Sequence, residues 1–190
     1  MNREIVLNVR DTQEMRLYRV FCSTPGALES ERIIFHDCVG DVNASAGPDP
    51  AALLVPVSVL PNMVNTTIFR PVLDENVRDC TFFLQVFAGD WGPVQRNFLP
   101  QFNLALQLLD EHREGVKDDE RGSMREVAAL VSRSSTASPE AESIRTALHS
   151  REQNFIAYGN SREFETLLKN VLEGWRKSIE PSALEHAPRS

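Results

Sequence analysis

Two short stretches of the sequence bring together residue types that could do chemistry. The first is Cys22, Ser23 and Thr24, which end a predicted strand just before a predicted helix. Hydroxyl groups and free backbone N–H groups at a helix start could bind an anion, and a cysteine there could have a lowered thiol pKa. Serine and threonine at this place more commonly cap the helix, so the stretch predicts either a ligand pocket or a helix cap.

Charged residues continue this stretch into the first turn of the helix. Glu29 and Glu31 are placed to complement the helix dipole, which is the usual role of acidic residues there. Glu31 could instead form an ion pair with Arg32 and fix the loop geometry. All three side chains are therefore candidates for the same ligand pocket, and Glu29 is also a candidate carboxylate for catalysis.

The second stretch is a loop that follows the most apolar strand of the chain. Asp90 and Trp91 lie there between Gly89 and Gly92, so a carboxylate and an aromatic ring stand where the backbone can approach a ligand closely. The alternative is a tight turn in which Trp91 only covers the end of the sheet. Both interpretations stay open.

Several common catalytic and metal-binding patterns are absent from the sequence. There is no G-x-x-x-x-G-K-[ST] phosphate loop, no G-x-G-x-x-G and no G-x-S-x-G. The four histidines are scattered without the spacing of metal ligands, at His36, His112, His149 and His186. We therefore predict no metal and no cofactor, and we interpret each histidine as a helix-surface residue.

The elements that must position these residues alternate between strand and helix. Runs of strand character occur at Tyr18–Cys22, Ala52–Leu60, Thr81–Phe87, Glu126–Val131 and Asn154–Tyr158. Helical patterns follow them at 27–44, 70–79 and 99–113, from the Ser138 region through Glu152, and from a capping-box-like start at Asn160 and Glu163. Five successive β–α units indicate a three-layer, doubly wound α/β domain with a mainly parallel sheet.

Two prolines refine this arrangement. Pro56 lies inside the second strand and cannot donate to a hydrogen-bond ladder, so that strand belongs at a sheet edge. The flavodoxin-like strand order 2-1-3-4-5 places the second strand there, and we predict this order. Pro71 suits the first turn of the second helix, which we therefore predict to begin at Arg70.

Composition limits the class of protein. The chain has 190 residues, of which 42% are hydrophobic and 25% charged, as in one soluble globular domain. A net charge of −7 argues against nucleic acid as a partner, and no apolar run is long enough to span a membrane. Three cysteines without C-x-x-C spacing suggest reduced thiols and a cytoplasmic location. We assign residues 1–17 to an arm or extra strand, 18–179 to the domain and 180–190 to a flexible tail.

The last helix carries a wide apolar stripe that ends in Trp175 and Ile179. Ile179 lies about 22 Å along the helix from Phe164, whereas a strand of five residues spans only about 17 Å. We therefore expect Trp175 and Ile179 to overhang the sheet, partly exposed, in the interface of a weak homodimer. The alternative is that residues 5–7 of the arm fold back over them in a monomer.

Phe21-Cys22-Ser23-Thr24, followed by Leu28 and Glu31-Arg32, resembles the opening of a TIR-like bacterial family of unknown function. That family begins with a strand ending in F-x-S-S-T, followed by D-L-x-x-E-R. Cys22 replaces the first serine here, Phe21 stands one residue closer to it than in the family, and Leu28 and Glu31-Arg32 keep the family's spacing. Ala27 replaces the usual aspartate. The family's later G-x-R-Y-G is matched loosely by Ala88-Gly89-Asp90-Trp91-Gly92, with Asp90 in place of the arginine, and its ending by the stretch from Phe155 to Trp175. The resemblance spans about Tyr18 to Ile179.

The resemblance implies a TIR/flavodoxin-like domain of the kind often fused to signalling NTPases. TIR enzymes that cleave NAD rely on a glutamate at the start of the helix after strand three, where this chain has Gln101 and no acid before Asp110. We therefore expect a non-catalytic interaction or signalling domain with a protein partner or a second copy. The alternative is an enzyme that binds a nucleotide or nucleoside, of the NAD glycohydrolase or deoxyribosyltransferase type, using Asp90 or Glu29.

Overall fold

Strands and helices alternate along the chain in the computed structural model, which describes residues 15–25, 28–47, 52–59, 66–91, 97–115 and 123–179. The strands are β1 (Arg16–Ser23), β2 (Ala52–Ser58), β3 (Phe82–Phe87), β4 (Glu126–Ser132) and β5 (Asn154–Tyr158). The helices are α1 (Glu29–Ala44), α2 (Thr66–Arg78), α3 (Leu99–Arg113), α4 (Pro139–His149) and α5 (Ser161–Ile179). A short 3₁₀ turn, Arg133–Ser135, follows β4.

The strands form one parallel sheet in the order β2-β1-β3-β4-β5. This is the doubly wound, flavodoxin-like fold, and it confirms the predicted strand order. Pro56 lies on the edge strand β2, opposite Val20 of β1, so the missing N–H of the proline interrupts no central ladder.

Helices cover both faces of the sheet. Cys22 and Leu84 point to the face that packs against α1 and α5, and their neighbours Phe21 and Phe83 point to the opposite core. That second core is completed by α2, α3 and α4. Every residue of β3 is buried, because this central strand is covered on both faces.

The end of α5 is buried, so the predicted overhang is wrong. Trp175 is 1% exposed and Ile179 is 6% exposed. The Trp175 ring stacks on Phe82 with 4.9 Å between ring centroids, and its Nε1 donates to Glu126 Oε2 at 2.9 Å. The prediction failed because it assumed strands of five residues. The strand β1 has eight residues: it begins at Arg16, well before its pairing with β3 starts at Val20, so the sheet under α5 is longer than assumed.

Three other boundaries differ from the predictions. The second helix begins at Thr66, so Pro71 lies inside it, where it has no N–H to donate to the carbonyl of residue 67. The fourth helix ends at His149, and Glu152 takes a left-handed φ of 55° before β5. Arg16 and Leu17 belong to β1 and not to an arm, while residues 1–14 and 180–190 lie outside the described residues.

Candidate functional site

The point where the strand order reverses lies between β1 and β3. In open parallel sheets, ligands bind in the crevice outside the carboxyl ends of the strands at such a switch point. Ser23, the last residue of β1, pairs there with Gln85 of β3. The side chains of both residues point to the face covered by α2, α3 and α4, since their neighbours Cys22, Leu84 and Val86 belong to the other core.

Ser23 and Gln85 place polar atoms in an apolar setting at this switch point. Ser23 is 1% exposed and Gln85 is 0% exposed. Gln85 Nε2 donates to the carbonyl oxygens of Ser23, at 3.3 Å, and Val86, at 2.9 Å. Two acceptors fix the orientation of the amide, so Gln85 Oε1 points away from them.

Neither Gln85 Oε1 nor Ser23 Oγ has a hydrogen-bond partner within the part of the chain that the structure describes. A buried polar group without a partner costs about 1–3 kcal/mol. An oxygen acceptor and a hydroxyl side by side suit a ligand that offers hydrogen-bond donors, such as hydroxyl or amino groups. Both atoms are buried, however, so they are not open to such a ligand in this structure.

Ser23 and Thr24 do not cap α1. The N-cap position is Leu28, and no side chain accepts a hydrogen bond there. Leu28 N–H donates to the carbonyl of Pro25 at 3.0 Å, so a turn separates Thr24 from the helix. The capping interpretation is wrong, because the helix begins only at Glu29. Both hydroxyl-bearing residues are buried behind this turn.

The Cys22 thiol is protonated at neutral pH. The side chain is 1% exposed, and burial raises its pKa, with only partial opposition from the charge of Arg32. Cys22 points into the α1–α5 core, and not into the crevice beside Ser23. The lowered pKa considered from the sequence is therefore wrong, and this thiol cannot act as a nucleophile.

In the first turn of α1, Arg32 forms an ion pair with Glu29 and not with Glu31, the partner considered from the sequence. Arg32 Nε donates to Glu29 Oε2 at 3.0 Å, and the second guanidinium nitrogen also contacts the Glu29 carboxylate. This hydrogen bond lowers the pKa of Glu29. Adjacent helix residues such as Glu31 and Arg32 point in different directions, whereas residues three apart lie next to each other on the helix surface. Arg32 therefore pairs with Glu29.

Glu31 lies against β5. It is 9% exposed, and it accepts hydrogen bonds from Ser30 Oγ at 2.7 Å and from the Tyr158 hydroxyl at 3.4 Å. Burial and the charge of Glu31 raise the pKa of Tyr158, so the phenol stays a donor. Glu31 is thus a buried carboxylate at the carboxyl edge of the sheet, while Glu29 is exposed.

Trp91 packs onto the end of the sheet. Its ring meets Phe87 edge to face at 5.3 Å between centroids and Phe102 at 5.5 Å. Gly89 has a φ of 115°, and a Cβ there would lie 3.3 Å from Ser135 Oγ, so the turn is tight. These contacts support the covering role of Trp91. Asp90 is exposed beside it.

His36 and Ser58 form a pair that the sequence analysis missed. His36 Nε2 lies 2.7 Å from Ser58 Oγ at the carboxyl end of β2, and both residues are half-buried. Burial, followed by the nearby charge of Arg32, lowers the pKa of His36. His36 lies in α1 and is partly exposed, as the helix-surface interpretation expects, but its contact with Ser58 was not predicted.

The structure brings together only part of the predicted pocket. Ser23 and Thr24 are buried at the switch point, where Gln85 joins them, and Glu31 joins Tyr158. Trp175 and Ile179 lie far away, toward the amino ends of β3 and β4, as the contact of Trp175 with Phe82 and Glu126 shows. Gln85 had a sequence signal, because it is the polar residue in the buried strand FFLQVF.

Comparisons with known proteins place the chain in no family. No family model matches the sequence, and no curated protein matches it. Among the described residues, no group of three His, Cys, Asp or Glu side chains could hold a metal ion. Within the same residues, no helix combines the length and the apolar character that crossing a bilayer requires.

Proposed function

We propose that this chain is a TIR-like interaction and signalling domain of a bacterial cytoplasmic protein, and that it does not catalyse a reaction. The opening motif Phe21-Cys22-Ser23-Thr24 with Glu31-Arg32 supports the TIR-like assignment. The flavodoxin-like strand order is the one that this resemblance implies. The non-catalytic role is supported by the chemistry of the residues at the carboxyl edge of the sheet.

The observation that carries the proposal is the environment of Gln101. This residue lies in the first turn of α3, where TIR enzymes that cleave NAD have a glutamate. Gln101 is 1% exposed, and its Nε2 donates to Asp74 Oδ1 of α2 at 3.0 Å. The side chain is a neutral amide that joins two helices, and an amide is neither a nucleophile nor a general base.

The other candidate groups at this edge have structural roles as well. The Glu29 carboxylate is paired with Arg32, and Glu31 is hydrogen-bonded to Ser30 and Tyr158. The Cys22 thiol is buried in the core. None of these groups combines exposure to the crevice with an activating partner, which nucleophilic catalysis needs.

A second candidate function is nucleotide or nucleoside processing, of the NAD glycohydrolase or deoxyribosyltransferase type. Ser23 Oγ and Gln85 Oε1, which have no partner among the described residues, favour it, since the hydroxyl and amino groups of a nucleoside could donate to them once this buried region opens. In that case Asp90 and Glu29 are the carboxylates that the sequence analysis names, and Glu31 is a third to test.

Turnover separates the two functions. The protein is incubated with NAD, and separately with a deoxynucleoside and a free acceptor base, and the products are separated by chromatography. We expect no nicotinamide release and no base exchange. Turnover that is lost in Asp90→Asn, in Glu29→Gln or in Glu31→Gln would establish the enzyme instead.

A further inference from the structure

The two edges of the sheet differ in how they are protected. Edge strands present unpaired N–H and C=O groups, and natural proteins block such edges with proline, charge or a bulge. The edge strand β2 carries Pro56. The edge strand β5 has the sequence NFIAY, without proline or charge, and within the described residues it pairs only with β4.

A groove runs along the α5 side of β5. It has a volume of about 330 Å³ and is lined by Asn154 and Ile156 of β5, Asn170, Val171 and Gly174 of α5, and by Glu126 and Trp175. A Cβ at Gly174 would have no atom within 4 Å, so the helix leaves open space there. The α5 helix is therefore set back from the edge and leaves room for side chains of an added strand.

We propose that β5 pairs antiparallel with β5 of a second copy of this chain, about a two-fold axis at Ile156. The two sheets then continue into each other across the interface. This inference rests on the proposed interaction role and names one partner for it. It replaces the interface at Trp175 and Ile179, which are buried within one chain.

A second copy fits this edge because the strand is complementary to itself. A two-fold axis pairs Ile156 with its own copy, Phe155 with Ala157, and Asn154 with Tyr158. No charges face each other in this register, although the chain carries a net charge of −7. The register matches a large side chain with a small one and keeps every residue of the strand paired.

The side chains of this register also match the two faces of the sheet. Ile156 points to the α5 face, where its half-buried side chain lines the groove, so the two copies of Ile156 would fill the open space together. Phe155 points to the other face, where the Arg145 guanidinium lies 4.7 Å from its ring centroid.

The test is sedimentation equilibrium of the full chain across a concentration series, with charge changes at the axis. We expect a reversible dimer. Ile156→Glu and Ile156→Lys should each weaken it about tenfold or more, since like charges then meet at the axis. Mixing these two variants should restore a heterodimer. The matched control is Val55→Glu, a half-buried position on the other edge strand, which should leave the dimer intact.

Three results would overturn this inference: a monomer at every concentration, equal weakening by Val55→Glu and Ile156→Glu, or a mixture that stays monomeric. Circular dichroism shows whether the variants fold. If they do not, Asn154→Lys, an exposed position on β5, replaces Ile156→Glu and should weaken the dimer, because the lysine would lose water against the tyrosine ring that it faces in this register. A monomer without turnover contradicts only the dimer. A dimer with turnover contradicts only the non-catalytic role.

Discussion

Cys22, Cys38 and Cys80 have side chains that are at most 1% exposed, and burial is the main cause that raises the pKa of each thiol. The pKa of Cys38 rises to about 11 and that of Cys80 to about 12. Burial therefore affects the pKa of each thiol more than the neighbouring charges do, including the charge of Arg32 beside Cys22.

The thiols should be unreactive in the folded protein. With Ellman's reagent at pH 8, we expect no absorbance change over several minutes in native buffer. All three thiols should react at once in guanidinium chloride. Rapid reaction of one thiol in the native state, lost in Cys22→Ala, would contradict the structural role given to Cys22.

His36 should make folding stability depend on pH. Its pKa in the folded state lies below the ordinary value of 6.5, so the unfolded chain binds more protons in the window just below 6.5. Stability therefore rises with pH through that window and is lost as the pH falls below 6.5. Urea unfolding at pH 5 and pH 7.5 measures this difference.

The matched variants for this prediction are His36→Gln and His149→Gln. His36→Gln should reduce the stability difference between the two pH values, whereas His149 is exposed at the end of α4, so its substitution should change the difference less. An unchanged difference in His36→Gln would show that burial of His36 has no part in the pH dependence.

Sequence reasoning at the residue scale succeeded where the environment is local. The residues around Trp91 left two interpretations open, and the contacts of its ring with Phe87 and Phe102 support the one in which it covers the sheet end. The partners of Glu31 and His36 could not be predicted, since Tyr158 and Ser58 lie far away in the chain. Hydrogen bonds between distant segments depend on the tertiary fold.

At the scale of elements, α5 is held to the sheet by its last two turns as well as by its start. At the start, Asn160 Oδ1 accepts from the Glu163 N–H at 3.0 Å, which confirms the cap predicted there. The Phe164 ring packs there against Tyr158 of β5, with 5.0 Å between ring centroids. Near the end, Trp175 stacks on Phe82 and donates to Glu126. The helix is therefore fixed at both ends.

Removing the Trp175 ring should destabilise the fold strongly. We expect Trp175→Ala to lower the free energy of unfolding by about 3–5 kcal/mol, through the cavity left against Phe82. Trp175→Phe keeps a ring but loses the bond to Glu126, so the loss should be smaller, about 1–3 kcal/mol. Lys177→Ala, exposed on the same helix, should change stability by less than about 0.5 kcal/mol. Chemical denaturation measures all three.

Equal stability of Trp175→Ala and the unaltered protein would mean that the end of α5 is not packed. That result would restore the overhang predicted from the sequence. The structure instead predicts that the helix end belongs to the core formed with α1, in which Trp175 is 1% exposed.

The start and end of a helix or strand could be predicted where nearby residues mark them. The ranges of α3 and β5 were predicted correctly, since proline, apolar spacing and turn residues mark their ends. The start of α2 was missed because Pro71 was taken as a helix start. The predicted overhang of α5 was wrong because the length of β1 was underestimated. The first residues of β1 are in the sheet because they pair with β2, and the residues of β1 alone do not reveal that pairing.

At the scale of the whole molecule, the fold separates two regions. The switch point at the carboxyl edge of the sheet buries Ser23 and Gln85, whose side-chain oxygen atoms have no partner among the described residues. The outer side of β5, which pairs only with β4 within those residues, presents a neutral strand beside a groove. The first region is closed to solvent and the second is open, so the second is the one that suits another chain.

The most direct test of the non-catalytic role is a reaction with protein and NAD at equal concentrations, each about 100 μM. Chromatography then detects nicotinamide even after less than one turnover per chain. The neutral, buried Gln101 predicts that NAD stays intact over hours, and that Gln101→Ala behaves in the same way. Stoichiometric release of nicotinamide that disappears in Glu31→Gln would contradict the account and make Glu31 a catalytic residue.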